Sequence, residues 1–147
     1  MASGISIRTI PLKSYPFESQ KLMTDIIQDF KEKYFKVKEN TGSYSIIGKE
    51  GKTAMKVLCT IDTNYRISGV AIGIFFRKEL IDKEGLEDIN ILFPKLIIKT
   101  RFFMMGAGKY EDFYLTEIDS NKTYLDKKEE VFKLGELILN VKTDFEL

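Results

Sequence analysis

The sequence predicts an α+β fold in a single domain over 1–147: an antiparallel β-sheet of about five to six strands, two long amphipathic helices packed on it, and one short helix. Three observations predict this. Arg66 to Arg77 is a strand-like run with no polar face: Val70, Ile72, Ile74 and Phe76 line one side, and Ile67, Gly69, Ala71, Gly73 and Phe75 the other. Such a strand belongs at the centre of a sheet, covered on both sides. The run before it, Thr53 to Ile61, alternates Met55, Val57, Cys59 and Ile61 with Ala54, Lys56, Leu58 and Thr60. Finally, two segments carry apolar residues at spacings of three and four, the mark of a helix with one buried stripe.

In order along the chain, Gly4 to Leu12 reads as a first strand ended by Pro11. Pro16 suits the start of a helix. The stripe Leu22, Met23, Ile26, Ile27, Phe30, Tyr34 and Val37 then carries that helix from Phe17 to about Val37, where Asn40-Thr41-Gly42 stops it. Ser43 to Gly48 is a short strand, and Lys49 to Lys52 a polar turn into the central hairpin. Asp62-Thr63-Asn64-Tyr65 is the expected hairpin loop. Pairing Ile61 with Arg66 sets Val57 opposite Val70, Met55 opposite Ile72, Leu58 opposite Gly69 and Lys56 opposite Ala71. One face of the hairpin is then dense and apolar, and the other shallow.

Lys78 to Phe93 is expected to form a short helix broken at Gly85 and closed by Pro94. Alternation resumes from Leu96 to Met105. Gly106 to Lys109 makes a turn, and Tyr110 to Ile118 runs back as the partner strand. Asp126, with Glu129 three residues on, has the spacing of a capping box. Val131, Leu134, Ile138 and Val141, supported by Leu137, give the last helix its stripe, with Phe145 and Leu147 extending the contact.

From the first long helix onward this order of elements resembles that of the type III secretion class I chaperones, over most of the chain and without a shared motif. The additional first strand and the near-neutral charge depart from that family, whose members are typically acidic. The order is also similar to the helix-grip fold of START-like lipid carriers, which has more strands than this chain supplies.

Composition removes several chemistries. The chain has no histidine, which excludes every Ser-His or Cys-His arrangement and the commonest metal ligand. One cysteine excludes an internal disulfide, and Cys59 falls on the apolar side of its strand as a small buried hydrophobe. Net charge is +1, so no global field attracts nucleic acid or an anionic membrane. Apolar content of 44% and charged content of 31% suit a soluble globular chain, and the absence of a leader or membrane span points to the cytoplasm. Gly106-Ala107-Gly108-Lys109 lacks the earlier glycine and the following Ser or Thr of a phosphate loop, and reads as a hairpin turn. The acids Glu111, Asp112, Glu117 and Asp119 lack an EF-hand spacing, so neither metal nor cofactor is expected.

What remains is the shallow face. Leu58, Gly69, Ala71, Gly73, Phe75 and Phe103 would form a flat surface, with Lys56, Lys99 and Arg101 steering partner choice at its rim. The expected function is a non-enzymatic binding module for a protein partner or a second copy of the chain. The alternative is a helix-grip carrier holding a fatty acid or other hydrophobic small molecule between sheet and C-terminal helix. Basic groups beside aromatics also occur on single-stranded RNA platforms, but the acidic block Glu79 to Asp88 offsets the basic one from Lys95 to Lys109, so nucleic acid is not expected.

Overall fold

The computed structural model describes residues 15–33, 35–40, 42–48, 51–60, 71–83, 89–104 and 110–139; at 60, 99–104, 110 and 111 it describes the backbone only. The expected first strand (4–12), the loop 62–65, Gly69, Gly85, the turn 106–109, and Val141, Phe145 and Leu147 lie outside these residues. The elements are α1 (Phe17–Glu32), β1 (Lys36–Asn40), β2 (Ser43–Ile47), β3 (Thr53–Thr60), β4 (Ala71–Arg77), α2 (Lys78–Lys83), α3 (Ile89–Leu92), β5 (Lys99–Met104), β6 (Tyr110–Ile118) and α4 (Asn121–Leu139). The six strands form one antiparallel sheet in the order β1-β2-β3-β4-β6-β5.

As its sequence requires, β4 lies inside the sheet between β3 and β6, and all seven of its residues are buried. The dense side of the hairpin carries the helices. Met55, Val57, Cys59, Ile72, Ile74 and Phe76 share one core with Met23, Ile26 and Phe30 of α1 and Val131, Leu134 and Ile138 of α4. Each such side chain, fully removed from water, contributes about 1.5–3 kcal/mol. A β-bulge adds to this core. Ile46 opposes Met55 and Ile47 opposes Thr53, which leaves Ala54 as the additional residue and turns it to the helix side. At Gly135 the last helix comes close to the sheet: a Cβ there would stand 3.2 Å from Met55 Sδ and 3.3 Å from Phe35 Cε2.

Polar contacts fix the helices in place. Tyr124 of α4 donates its hydroxyl proton to Asp29 of α1 at 2.6 Å, and Lys128 Nζ reaches the same carboxylate at 3.1 Å. Burial, the bond to Asp29 and its charge all push the Tyr124 phenol far above its ordinary range. Further along, the buried Lys127 donates to the carbonyl of Glu117 at 2.9 Å and to Thr116 Oγ1 at 3.4 Å. The Thr116 hydroxyl in turn donates to the carbonyl of Leu96. An ammonium group without such partners would be costly to bury.

Several expectations need correction. Helix α1 ends at Glu32, not near Val37. Continuing it would turn Phe35 away from the buried stripe. Leaving the helix at Lys33 lets the Phe35 amide bond to Phe30 O at 3.1 Å and its ring stack on Phe30 and pack beside Phe132, with centroids 5.5 and 5.9 Å away. Lys36 to Asn40 is therefore a strand, and the stretch read as a helix stop is a hairpin connection: Asn40 pairs with Ser43 across Thr41 and Gly42, whose φ is +73°.

The β3–β4 register also differs. Met55 lies opposite Phe76 rather than Ile72, a shift of four residues, and Leu58 lies opposite Gly73. An even shift keeps every side chain on its face, so alternation cannot distinguish the two registers; only the connection can. The segment after β4 contains two short helices, not one. Helix α4 begins before Asp126: Ser120 is its cap, its Oγ accepting the Thr123 amide at 3.2 Å. Val131, Leu134 and Ile138 form the buried stripe as expected, joined by Tyr124, Phe132 and Leu139, whereas Leu137 is 42% exposed.

Strand β5 starts at Lys99, not Leu96. Leu96 and Ile98 are buried on either side of Ile97, which has φ +47° and is 65% exposed. A left-handed backbone at a β-branched residue is strained by roughly 1–2 kcal/mol. Asn tolerates that conformation, and little packing is lost with an exposed side chain. Ile97→Asn is therefore expected to stabilise the protein by roughly 0.5–1.5 kcal/mol in chemical denaturation, by relief of strain; an unchanged or lower midpoint would contradict the strained geometry.

Candidate functional site

Backbone pairing gathers the shallow-face residues. Lys38, Ser45, Lys56, Phe75, Leu115 and Lys99 form one continuous row across all six strands. Beside it run Asn40, Ser43, Leu58, Gly73 and Glu117 on one flank, and Arg77, Phe113 and Arg101 on the other. Phe103 takes the position opposite Glu111. The structure thus places Leu58, Ala71, Gly73, Phe75, Phe103, Lys56, Lys99 and Arg101 on one face of the sheet, away from the helices. Gly69 lies outside the described residues.

The centre of this face is not bare. Leu58, Phe75, Phe113 and Leu115 form a second apolar cluster, whose described members all lie on strands, separate from the main core. Leu58 is 2% exposed and Phe75 0%; Ala71, Gly73, Ser43 and Ser45 are also buried. Phe75 and Phe113 meet edge to face, with centroids 6.3 Å apart. The Arg77 guanidinium lies 5.2 Å from the centroid of Phe113, and its Nε donates to the carbonyl of Thr53 at 2.6 Å. A flat apolar surface open to a partner is therefore not what these residues present.

Lys36 and Lys38 are exposed on the edge strand β1, and Lys56 is half-buried. Lys56 is held below the ordinary lysine range, first by burial and then by repulsion from Arg77. Burial likewise lowers Arg77, with Glu79 acting in the opposite sense. Counted by register among the described residues, the face holds Lys36, Lys38, Lys56, Arg77, Lys99 and Arg101 against Glu111 and Glu117. Sequence reasoning missed Lys36, Lys38 and Arg77 as members. The signal was present in Lys36 to Asn40, which alternates and precedes a Thr-Gly turn, but the helical stripe ran through Val37 and absorbed it.

Cys59 sits on the helix side of β3, buried, and its thiol is pushed up to about 11 from an ordinary 9.0 by desolvation. Two pKa units leave about a hundredfold less thiolate at neutral pH, and burial blocks access as well. An aromatic disulfide reagent is therefore expected to label the folded protein at least about a hundredfold more slowly than the urea-unfolded chain. Rapid labelling under native conditions would show that Cys59 is not where the core places it. No protein-family model matches this chain, and neither the curated proteins nor the solved structures compared with it include a match.

Proposed function

We propose that this chain is a non-enzymatic binding module that engages an acidic protein surface, on another protein or on a second copy of itself, through the side of its sheet opposite α1 and α4. The observation that carries this reading is the segregation just described: among the described residues, the main core with the helices lies on one side of the sheet, and six cationic register positions against two acidic ones lie on the other. The buried Leu58–Phe75–Phe113–Leu115 cluster changes the mechanism expected from composition. The central apolar residues stabilise this chain, and a partner meets the lysines around them. Exposed ion pairs each contribute only about 0.2–1 kcal/mol, so several must act together; they set association rate and salt sensitivity more than affinity. The absence of histidine and the buried thiol of Cys59 favour binding over catalysis. The carrier alternative has less support, because Gly135 brings α4 against Met55 and Phe35 where a ligand would lie.

A labelled oligoglutamate peptide and an oligo(dT) of equal charge, titrated by fluorescence anisotropy, test this reading. The peptide is expected to bind in a salt-sensitive manner, and the double substitution Lys36→Glu and Lys38→Glu to weaken it about tenfold, since two reversed contacts amount to roughly 1.4 kcal/mol. Both residues are exposed, so the fold is retained. Peptide affinity unchanged in the double variant, or no peptide binding at all, overturns the proposal. Tighter binding of the oligo(dT) moves the face to single-stranded nucleic acid and overturns it also.

A further inference from the structure

Among the described residues, β1 is the outermost strand on its side of the sheet, and no backbone group outside β2 bonds to it. Its ladder with β2 fixes what the outer edge presents. Residues facing each other in an antiparallel pair alternately exchange two backbone bonds and none. The connection between Asn40 and Ser43 is two residues long and closes on a bonded pair, so Lys38 with Ser45 and Lys36 with Ile47 are bonded as well. The amides and carbonyls of Val37 and Glu39 therefore point away from β2, spaced as a further strand would need them.

Side chains decide which strand that is. Lys36, Lys38 and Asn40 lie on the side of the sheet opposite α1 and α4, both lysines exposed and the Asn40 amide donating to Ser45 Oγ at 3.0 Å. Val37 and Glu39 take the other side, Val37 half-buried against the main core and Glu39 exposed. Opposite charges facing each other across a strand pair stabilise it, and like charges oppose it. A second copy of β1 fails this condition. Only residues of the same side face each other, so an antiparallel self-pair over most of the strand centres on Val37, Lys38 or Glu39. It then sets Lys36 against Lys38, Lys38 against itself, or Glu39 against itself. Lysines on an edge thus keep like edges apart, while opposite carboxylates they favour pairing. A segment with acids two residues apart, an apolar residue between them and an uncharged one opposite Glu39 meets every condition.

We infer that an extended acidic segment of another protein adds to β1 as a further antiparallel strand, its backbone bonded to Val37 and Glu39 and its alternate carboxylates facing Lys36 and Lys38. The inference rests on the acidic partner proposed above and narrows it, from a surface to a strand and from either occupant to another protein.

The probe is a labelled, end-capped peptide, Gly-Thr-Thr-Glu-Val-Glu-Thr-Gly, titrated into the full chain by fluorescence anisotropy, with amide hydrogen exchange followed by NMR at saturation. The peptide is expected to slow exchange at the Val37 and Glu39 amides by about tenfold or more. The Lys36 and Lys38 amides, already bonded to β2, change little. Glu39→Pro removes one outward amide at an edge position that tolerates proline. It is expected to weaken the peptide about tenfold relative to Glu39→Gln, which keeps that amide. Equal affinity for the two variants, or no added protection at Val37 and Glu39, overturns the inference. So does protection of these amides when protein concentration alone is raised, which makes a second copy the occupant. Failure of the peptide to bind overturns it as well. If oligoglutamate still binds in that case, and Lys36→Glu with Lys38→Glu weakens it, the acidic-surface reading stands without the strand; if neither binds, both fall.

Discussion

The contact on which the rest of this molecule depends is the one between α4 and β3 at Gly135. With no side chain there, the helix settles against Met55 and the Phe35 ring, the distances being those a Cβ could meet only if its neighbours gave way. Everything on the helix side follows from that approach. Phe132, three residues earlier, reaches Phe30 edge to face with centroids 5.0 Å apart, and Phe30 stacks on Phe35, so that α1, α4 and the segment leading into β1 are joined through three rings. The Asp29–Tyr124 bond lies at the margin of the same joint. Two helices that meet each other as well as the sheet pack on the dense face, together with Ile81, Ile89, Phe93 and Leu96 from the segments between β4 and β5, and that packing is what gives the sheet two unlike sides.

Unlike sides have electrostatic consequences. On the helix side, the buried charge is Lys127, held by the Glu117 carbonyl and the Thr116 hydroxyl. On the other, burial and then the neighbouring Arg77 hold Lys56 below the ordinary lysine range, while burial lowers Arg77 and Glu79 acts in the opposite sense. Such crowding of like charges opposes folding unless something compensates. In Arg77 the compensation is partly internal, from the Thr53 carbonyl and the Phe113 ring. Lys36 and Lys38 are exposed on β1, the outermost strand on that side among the described residues.

Much of this was legible in the sequence, for identifiable reasons. The period-2 pattern of Ala71 to Arg77 announced a central strand, and the stripe from Leu22 to Phe30 announced α1, because both periods arise from backbone geometry alone. Face membership of Lys56, Leu58, Gly73 and Phe75 was readable for the same reason and survived a register error, since a shift of four residues preserves parity. The register itself was not readable: it depends on the connection between β3 and β4, and a four-residue turn was as compatible with the pattern as a longer link. The end of α1 was hidden because Val37 continues the stripe by coincidence, whereas the decisive residue, Phe35, acts through a tertiary contact. Ser120 was passed over as a cap because the apolar stripe of α4 begins several residues later. The burial of the shallow face could not be foreseen at all, because alternation says which side a residue takes and nothing about whether that side is covered.

The central claim, that α4 lies on the dense side of the sheet with Gly135 over Met55, is tested most directly by a double-mutant cycle at those two positions. Gly135→Leu should overpack the contact and cost about 1–3 kcal/mol, and Met55→Ala should cost about 2–5 kcal/mol through the cavity it leaves. If the two residues face each other, the leucine fills the cavity, and the double variant, measured by urea unfolding, should be more stable than the sum of the single effects by about 1–3 kcal/mol. Additivity within about 0.5 kcal/mol would place Gly135 elsewhere and contradict the account.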